Sequence, residues 1–409
     1  MTWKWKVALA VSVAAVSAAA VVLLLWDYGP SGERSSRLSI TDLMSELDDE
    51  GFARAFEPRL FHFPTDHGPH EEYRTEWWYY TGNLATAGGR AFGFQFTLFR
   101  RAVTSRPVPR TSPWAADQVY MAHFALTDVA RGRFFAGERF SRGAVGLAGA
   151  QAEPLRLWLD DWQVEGCDGA AESTADSAET PNMKLRVAGD GVALELTLTG
   201  LKRPVLQGDR GLSAKGPEPG NASYYYSLTR MRARGRIELD TGEGGDENGC
   251  DIHMVEGTAW MDREWGTSAL GADLAGWDWF ALQLDDGREL MYYQLRRRDG
   301  LAAPLSAGVL VDAGGGSRYL AADEVSIEVL DHWRSPRGGV YPGRWRLEIP
   351  AEGLELDIEP RIPDQELNLS VRYWEGAVEI EGRGAGGSVA GLGYVELTGY
   401  ASVPAVLTR

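Results

Sequence analysis

Apolar and polar positions alternate along most of this chain. The runs Phe92-Gly93-Phe94-Gln95-Phe96-Thr97-Leu98-Phe99 and Val192-Ala193-Leu194-Glu195-Leu196-Thr197-Leu198 repeat with period two. Beyond residue 57 no long segment carries the roughly 3.6-residue period of an amphipathic helix. The pattern predicts an antiparallel, all-β protein.

The strands come in two sets. Glu76-Trp77-Trp78-Tyr79-Tyr80 followed by Gly89-Arg90-Ala91-Phe92 matches Gly276-Trp277-Asp278-Trp279-Phe280 followed by Gly287-Arg288-Glu289-Leu290. Asp161-Trp162 and a later run ending Arg203-Pro204-Val205-Leu206-Gln207 match His332-Trp333 and a run ending Arg361-Ile362-Pro363-Asp364-Gln365. Tyr224-Tyr225-Tyr226-Ser227 matches Arg372-Tyr373-Trp374-Glu375, and Val255 to Trp265 matches Val389 to Gly399. Four blocks in one order are the mark of a duplication. The extra loops around Arg106 to Trp114, Gly166 to Pro181, Gly208 to Asn221 and Asp240 to Asp251 all fall in the first copy, which gives that copy the specialised rim.

A set of hairpins whose last strand can return to the first predicts a closed or nearly closed barrel with an interior cavity, a pair of sandwiches being the rival. The length of 409 residues also favours two cores over one. The expected division is 1–30 signal anchor or signal peptide, 31–57 linker, 58–266 first β domain and 267–409 second. Fifteen Trp and 49 Gly fit strands and turns.

Lys4 and Lys6 precede an uncharged stretch from Val7 to Trp26, long enough at about 1.5 Å per residue to cross a hydrocarbon core of roughly 30 Å. This predicts an exported, periplasmic body anchored in the inner membrane, with a cleaved signal as the alternative. The net charge of -17 and the lack of a basic run argue against nucleic acid as a partner. Cys167 and Cys250, both in polar inserts, either pair or stay as thiols, and they offer too few ligands for zinc. No cofactor and no metal site is expected; His67-Gly68-Pro69-His70 reads as a turn.

Chemistry concentrates in Trp260-Met261-Asp262-Arg263-Glu264-Trp265. On a strand Trp260, Asp262 and Glu264 share one face, a carboxylate pair beside an indole whose pKa values repulsion and burial would separate. The competing reading is a solvated rim. In the first strand Glu76 and Trp78 share one face and Trp77 and Tyr79 the other; one set fills the core and the other lines a pocket. His123, within Tyr120 to Thr127, is either a hydrogen-bonded core residue or a proton carrier. The candidate catalytic residues are Asp262, Glu264 and His123. The candidate ligand contacts are Glu76, Trp77, Trp78, Tyr80, Trp260, Trp265, Trp277 and Trp279. All activity is expected in the first copy, with the second as support or lid.

Phe63-Pro64-Thr65-Asp66-His67-Gly68-Pro69-His70, Tyr73 to Leu84, Ala222 to Ser227, Met261-Asp262-Arg263-Glu264-Trp265 and Gly276 to Phe280 together resemble the AttH-type proteins, grouped with carotenoid hydratase (CrtC-like) proteins. The resemblance runs from Phe61 to Tyr400 and is closer to the AttH branch. It implies two tandem lipocalin-like (calycin) barrels. Members of the family carry labels such as predicted secreted hydrolase or accessory to an ABC transporter, and the hydratase branch adds water across a terminal double bond of an acyclic carotenoid. By this resemblance Asp262 or Glu264 is the acid, Trp260 or Trp277 stabilises a carbocation and His123 shuttles protons.

The leading expectation is an exported protein that binds a hydrophobic or amphipathic small molecule, a lipid or isoprenoid, in partnership with an ABC transporter permease. The alternative is a hydratase, or a related lyase or hydrolase, that adds water by acid catalysis. A third reading, an interaction partner of a membrane complex, predicts no sizeable cavity. The discriminating feature is where Asp262 and Glu264 point: an apolar cavity favours catalysis and solvent favours binding.

Overall fold

The computed structural model describes residues 49–167, 178–240, 250–267, 270–271 and 273–401. The apolar segment Val7 to Trp26, the linker up to residue 48 and the centres of the two cysteine-bearing inserts lie outside the described residues. Among the described residues no helix is long and apolar enough to cross a membrane.

The protein is nearly all β, with two barrel-like antiparallel sheets, one nearly closed and the other a half-barrel. The first runs from Arg133–Arg142 through Gln118–Asp128, Ala91–Ala102 and Thr75–Ala85 to Cys250–Gly266. It continues through Ala222–Asp240, Val192–Gly200, Met183–Gly189, Trp162–Gly166 and Arg156–Leu159 to Ala148–Gln151. The second repeats the plan: Leu274–Leu284 lies between its hairpin partner Glu289–Arg297 and the last strand, Gly387–Leu397, which then pairs with Arg372–Gly384. In each copy the final strand therefore returns to the first. The first sheet ends at Gly266 and the second begins at Leu274.

The same turn opens both copies. Gly89 (φ 83°) closes the hairpin after Thr75–Ala85 and Gly287 (φ 85°) the one after Leu274–Leu284. Both lie in the left-handed region that glycine enters without a Cβ clash.

Alternation decides what each strand buries. Trp78, Tyr80, Phe94, Phe96, Phe124 and Trp162 fill the first barrel, and Phe280, Tyr341, Trp345 and Trp374 the second. The opposite faces of several strands are buried as well, in a third cluster containing Tyr79, Tyr225, Trp260, Trp279, Tyr293 and Tyr394, where one sheet packs on the other. Here the structure departs from the expected interior cavity. Bulky aromatic side chains fill the first barrel, and a cavity lies between the two sheets.

The segment before the first strand, with a short 3-10 turn at Thr65–His67, covers one end of the first barrel. Trp78 Nε1 donates to the His67 carbonyl (2.8 Å), Tyr224 Oη to the Glu57 carbonyl (2.9 Å), and His70 stacks on Trp265 at 3.8 Å. Beneath it Glu76 accepts from both Arg100 and Arg263. Burial would raise the Glu76 pKa, but the two guanidinium groups overcome this and hold it well below the usual carboxylate range. The Phe63 to Tyr80 motif thus builds a barrel end and a buried ion network.

Candidate active site between the barrels

A cavity of about 120 Å³ lies where the outer faces of the two sheets meet. The first copy contributes Trp77, Tyr79, Phe99, Tyr225, Asp262 and Glu264, and the second Trp277, Trp279, Tyr293, Tyr373, Glu375 and Glu396. Asp262 and Glu264 point into this aromatic space and are nearly inaccessible to solvent, at 3% and 4% exposure.

Asp262 is held by three donors. Ser227 Oγ (2.5 Å) and Trp260 Nε1 (2.6 Å) reach Oδ1, and Tyr225 Oη reaches Oδ2. Trp279 Nε1 donates in turn to Tyr225 Oη at 3.1 Å, which ties the second copy to this carboxyl. Burial outweighs the three hydrogen bonds and, with the Glu264 charge adding to it, pushes the Asp262 pKa up to about 7. Glu264 is answered differently, by Ser223 Oγ and by Lys215 Nζ at 2.7 Å. Burial works against the Lys215 charge, but Glu264 more than offsets it and raises the lysine's pKa.

Across the cavity stand two more carboxyls. Glu375 and Glu396 face each other on adjacent strands, and Glu396 is also the cross-strand partner of Trp279. Burial pushes Glu396 up to about 8; a hydrogen bond from Trp277 opposes this, and the Asp262 and Glu264 charges add to it. Burial and Glu396 likewise drive Glu375 well above its ordinary value, although Tyr79 Oη donates to it at 2.7 Å. The wall therefore carries Asp262 opposite two further carboxyls that burial also shifts upward.

His123 is fully buried on the strand beside Phe99 and does not line the cavity. Its Nδ1 lies 2.7 Å from Tyr373 Oη, so one hydroxyl separates it from the site. Burial lowers its pKa to about 3, which makes it a neutral imidazole.

Of the residues singled out in the sequence, Asp262, Glu264, Trp77, Trp277 and Trp279 meet in the cavity, and Trp260 packs beside them on Asp262. Glu76, Trp78, Tyr80 and Trp265 face the other way, into the first barrel, because each is one or three positions out of phase with the cavity face of its strand. Lys215, Tyr225, Tyr373 and Glu375 were not anticipated. The second copy supplies two of the four cavity carboxyls, Glu375 and Glu396, so it forms part of the cavity wall. One signal was present: the repeat aligns Asp262 with Glu396 and Tyr225 with Tyr373.

Fold and site together define a tandem lipocalin-like protein whose acidic, aromatic cavity sits between the two copies. A model of the AttH-like family matches residues 54–400, and the chain belongs to that family. Among solved structures, an AttH protein from Nitrosomonas europaea is 35% identical with a TM-score of 0.72, the match covering 85% of this chain and 99% of that one. Kievitone hydratase from Nectria haematococca is 14% identical with a TM-score of 0.61, covering 87% of this chain and 98% of that one, a likeness of fold. A comparison with curated proteins finds no match.

Proposed function

We propose that this protein is an acid–base catalyst that adds water to, or removes it from, an apolar unsaturated small molecule held between its two sheets. The observation that carries this reading is the Asp262 carboxyl, buried in an aromatic cavity with its pKa near 7. An acid of that strength holds its proton for a substrate yet releases it readily at neutral pH.

In hydration, Asp262 delivers its proton to one alkene carbon, and the π electrons form the new C–H bond. The cation left on the neighbouring carbon faces the rings of Trp77, Trp277 and Trp279, which stabilise it by cation–π attraction. Water then attacks that carbon, and its surplus proton returns to the Asp262 carboxylate, which restores the resting state. Dehydration of a tertiary alcohol is the same path reversed. Glu375 and Glu396, both shifted toward the protonated form by burial, orient the attacking or leaving oxygen from the far wall, while the Glu264–Lys215 pair keeps the site's net charge low. The hydratase named among the similar folds supports this reading of the chemistry and leaves the substrate open.

Ligand retention is the shared first step, so the test begins with mass spectrometry of small molecules that copurify with the protein. The native protein and Asp262→Asn are then incubated with the recovered ligand and isoprenoid alkenes in H2 18O. Label uptake by the native protein, lowered in the variant by about 10²–10⁴, is the expected result. A ligand retained equally by both proteins with no label in either would leave a carrier and sink the catalytic reading.

A further inference from the structure

One end of the first barrel carries an apolar surface that the catalytic reading does not use. Val108 (63% exposed) and Trp114 (57%) project from the loop between Ala91–Ala102 and Gln118–Asp128. Phe140 (57%) and Val145 (50%) are exposed at the end of Arg133–Arg142 and in the turn that follows. The Arg142 guanidinium, 3.4 Å from the Trp114 carbonyl, joins the two segments.

The two segments are locally rich in arginine. Arg106, Arg110 and Arg142 are exposed, whereas Asp117, paired with Arg110 at 3.1 Å, is the only acid between residues 100 and 117, and none occurs from 139 to 150. On a chain of net charge -17 these exposed arginines favour contact of this end with an anionic surface. The path of the chain supplies a second argument. The described residues begin at Asp49, and Ser105 Oγ donates to the Glu50 carbonyl at 2.8 Å, so the described chain starts beside this loop.

We propose that this end of the first barrel docks on the surface of an anionic lipid bilayer, with Val108, Trp114 and Phe140 entering the interface and Arg106, Arg110 and Arg142 among the headgroups. An aromatic-aliphatic tip ringed by arginines has the composition that interfacial binding requires. Docking also brings the cavity toward the lipid, since Thr75, which lines it, pairs with Arg101 two residues before Val103. That consequence rests on the proposed active site; the docking does not.

The test is hydrogen exchange by mass spectrometry on the full-length protein, mixed with vesicles of phosphatidylcholine alone or with phosphatidylglycerol added. One arginine near such a surface strengthens binding about fivefold, so the fraction bound rises on the anionic vesicles and peptides spanning 103–117 and 140–147 are expected to exchange more slowly there than on phosphatidylcholine alone. Arg106→Glu/Arg142→Glu removes the difference while the core strands keep their protection, and Val108→Ser/Trp114→Ser, which keeps every charge, reduces it. Equal exchange on both vesicles, or no association with the anionic ones, overturns the proposal. So does protection that is independent of lipid and lost when the acidic segment Thr41 to Glu50 is neutralised, because the chain itself then covers the patch. None of these readings depends on substrate turnover.

Discussion

Asp262 and Glu76 are both buried carboxyls of the first copy, and their environments move them in opposite directions. Burial of Asp262, with a small addition from the Glu264 charge, outweighs its three neutral donors, so its folded-state pKa rises from 3.8 to about 7. The folded state then binds more protons than the unfolded one, and the stabilising contribution, complete below about pH 4, is lost as pH rises through 7. Replacing it with Asn shifts the stability difference between variant and native protein in the variant's favour by on the order of 4 kcal/mol between pH 4 and pH 8, measured by urea denaturation at each pH. Glu76 has two arginines and a lowered pKa, so it stabilises above its ordinary value of 4.5 and loses that contribution on acidification. Glu76→Gln leaves Arg100 and Arg263 buried without their counter-charge and is expected to cost about 3–5 kcal/mol at pH 7, seen as a lower urea midpoint. Turnover, if Asp262 is the acid, declines above pH 7.

Each signature strand serves two purposes at once. In Cys250–Gly266 the outward Asp262 and Glu264 make the cavity, whereas the inward Met261, Arg263 and Trp265 fill or brace the barrel, and Arg263 lies 4.0 Å from the centre of the Trp78 ring. The first strand is split the same way. Trp78→Ala is expected to cost about 3–5 kcal/mol because it empties the barrel core. Trp77→Ala, one residue away and only partly buried, is expected to cost less than that and, on the proposed function, to lower ligand retention. Denaturation and ligand mass spectrometry on the two variants separate the faces; equal ligand loss in both would contradict the split. The alternation was legible in the sequence, and so was the separation of Trp260, Asp262 and Glu264 from their neighbours. Which face would meet the second sheet was not, because period two gives two faces and no direction.

The two copies meet through the faces that carry the site. Asn83 Nδ2 donates to the Gly393 carbonyl at 2.9 Å, Thr127 Oγ1 to Gln365 Oε1 at 2.7 Å, and Gln283 Nε2 to the Thr229 carbonyl at 2.7 Å, which locks sheet to sheet around the cavity. Gly93 sits where a Cβ would collide with the Ala377 methyl of the other sheet. Gly93→Val therefore wedges the sheets apart at a cost of about 1–3 kcal/mol, with ligand lost and hydrogen exchange raised along Arg372–Gly384 while both barrel interiors stay protected. Normal ligand retention in that variant would mean that the close approach is not needed to form the cavity.

Sequence regularities determined much of this protein: the strand period and the pairing of aromatic with acidic positions are readable from neighbouring residues, and the duplication from comparing one half of the chain with the other. The repeat even placed Glu396 opposite Asp262 in alignment, without showing that the two would share a site. Tertiary structure alone decided that the copies pack outer face to outer face, so that Lys215, Tyr225, Tyr373, Glu375 and Glu396 join Asp262 and Glu264. Alternation comes from the backbone geometry of a single strand. The direction of curvature and the packing of one sheet on another come from contacts between residues more than a hundred positions apart, such as Tyr79 with Glu375, and no short window of sequence contains both partners.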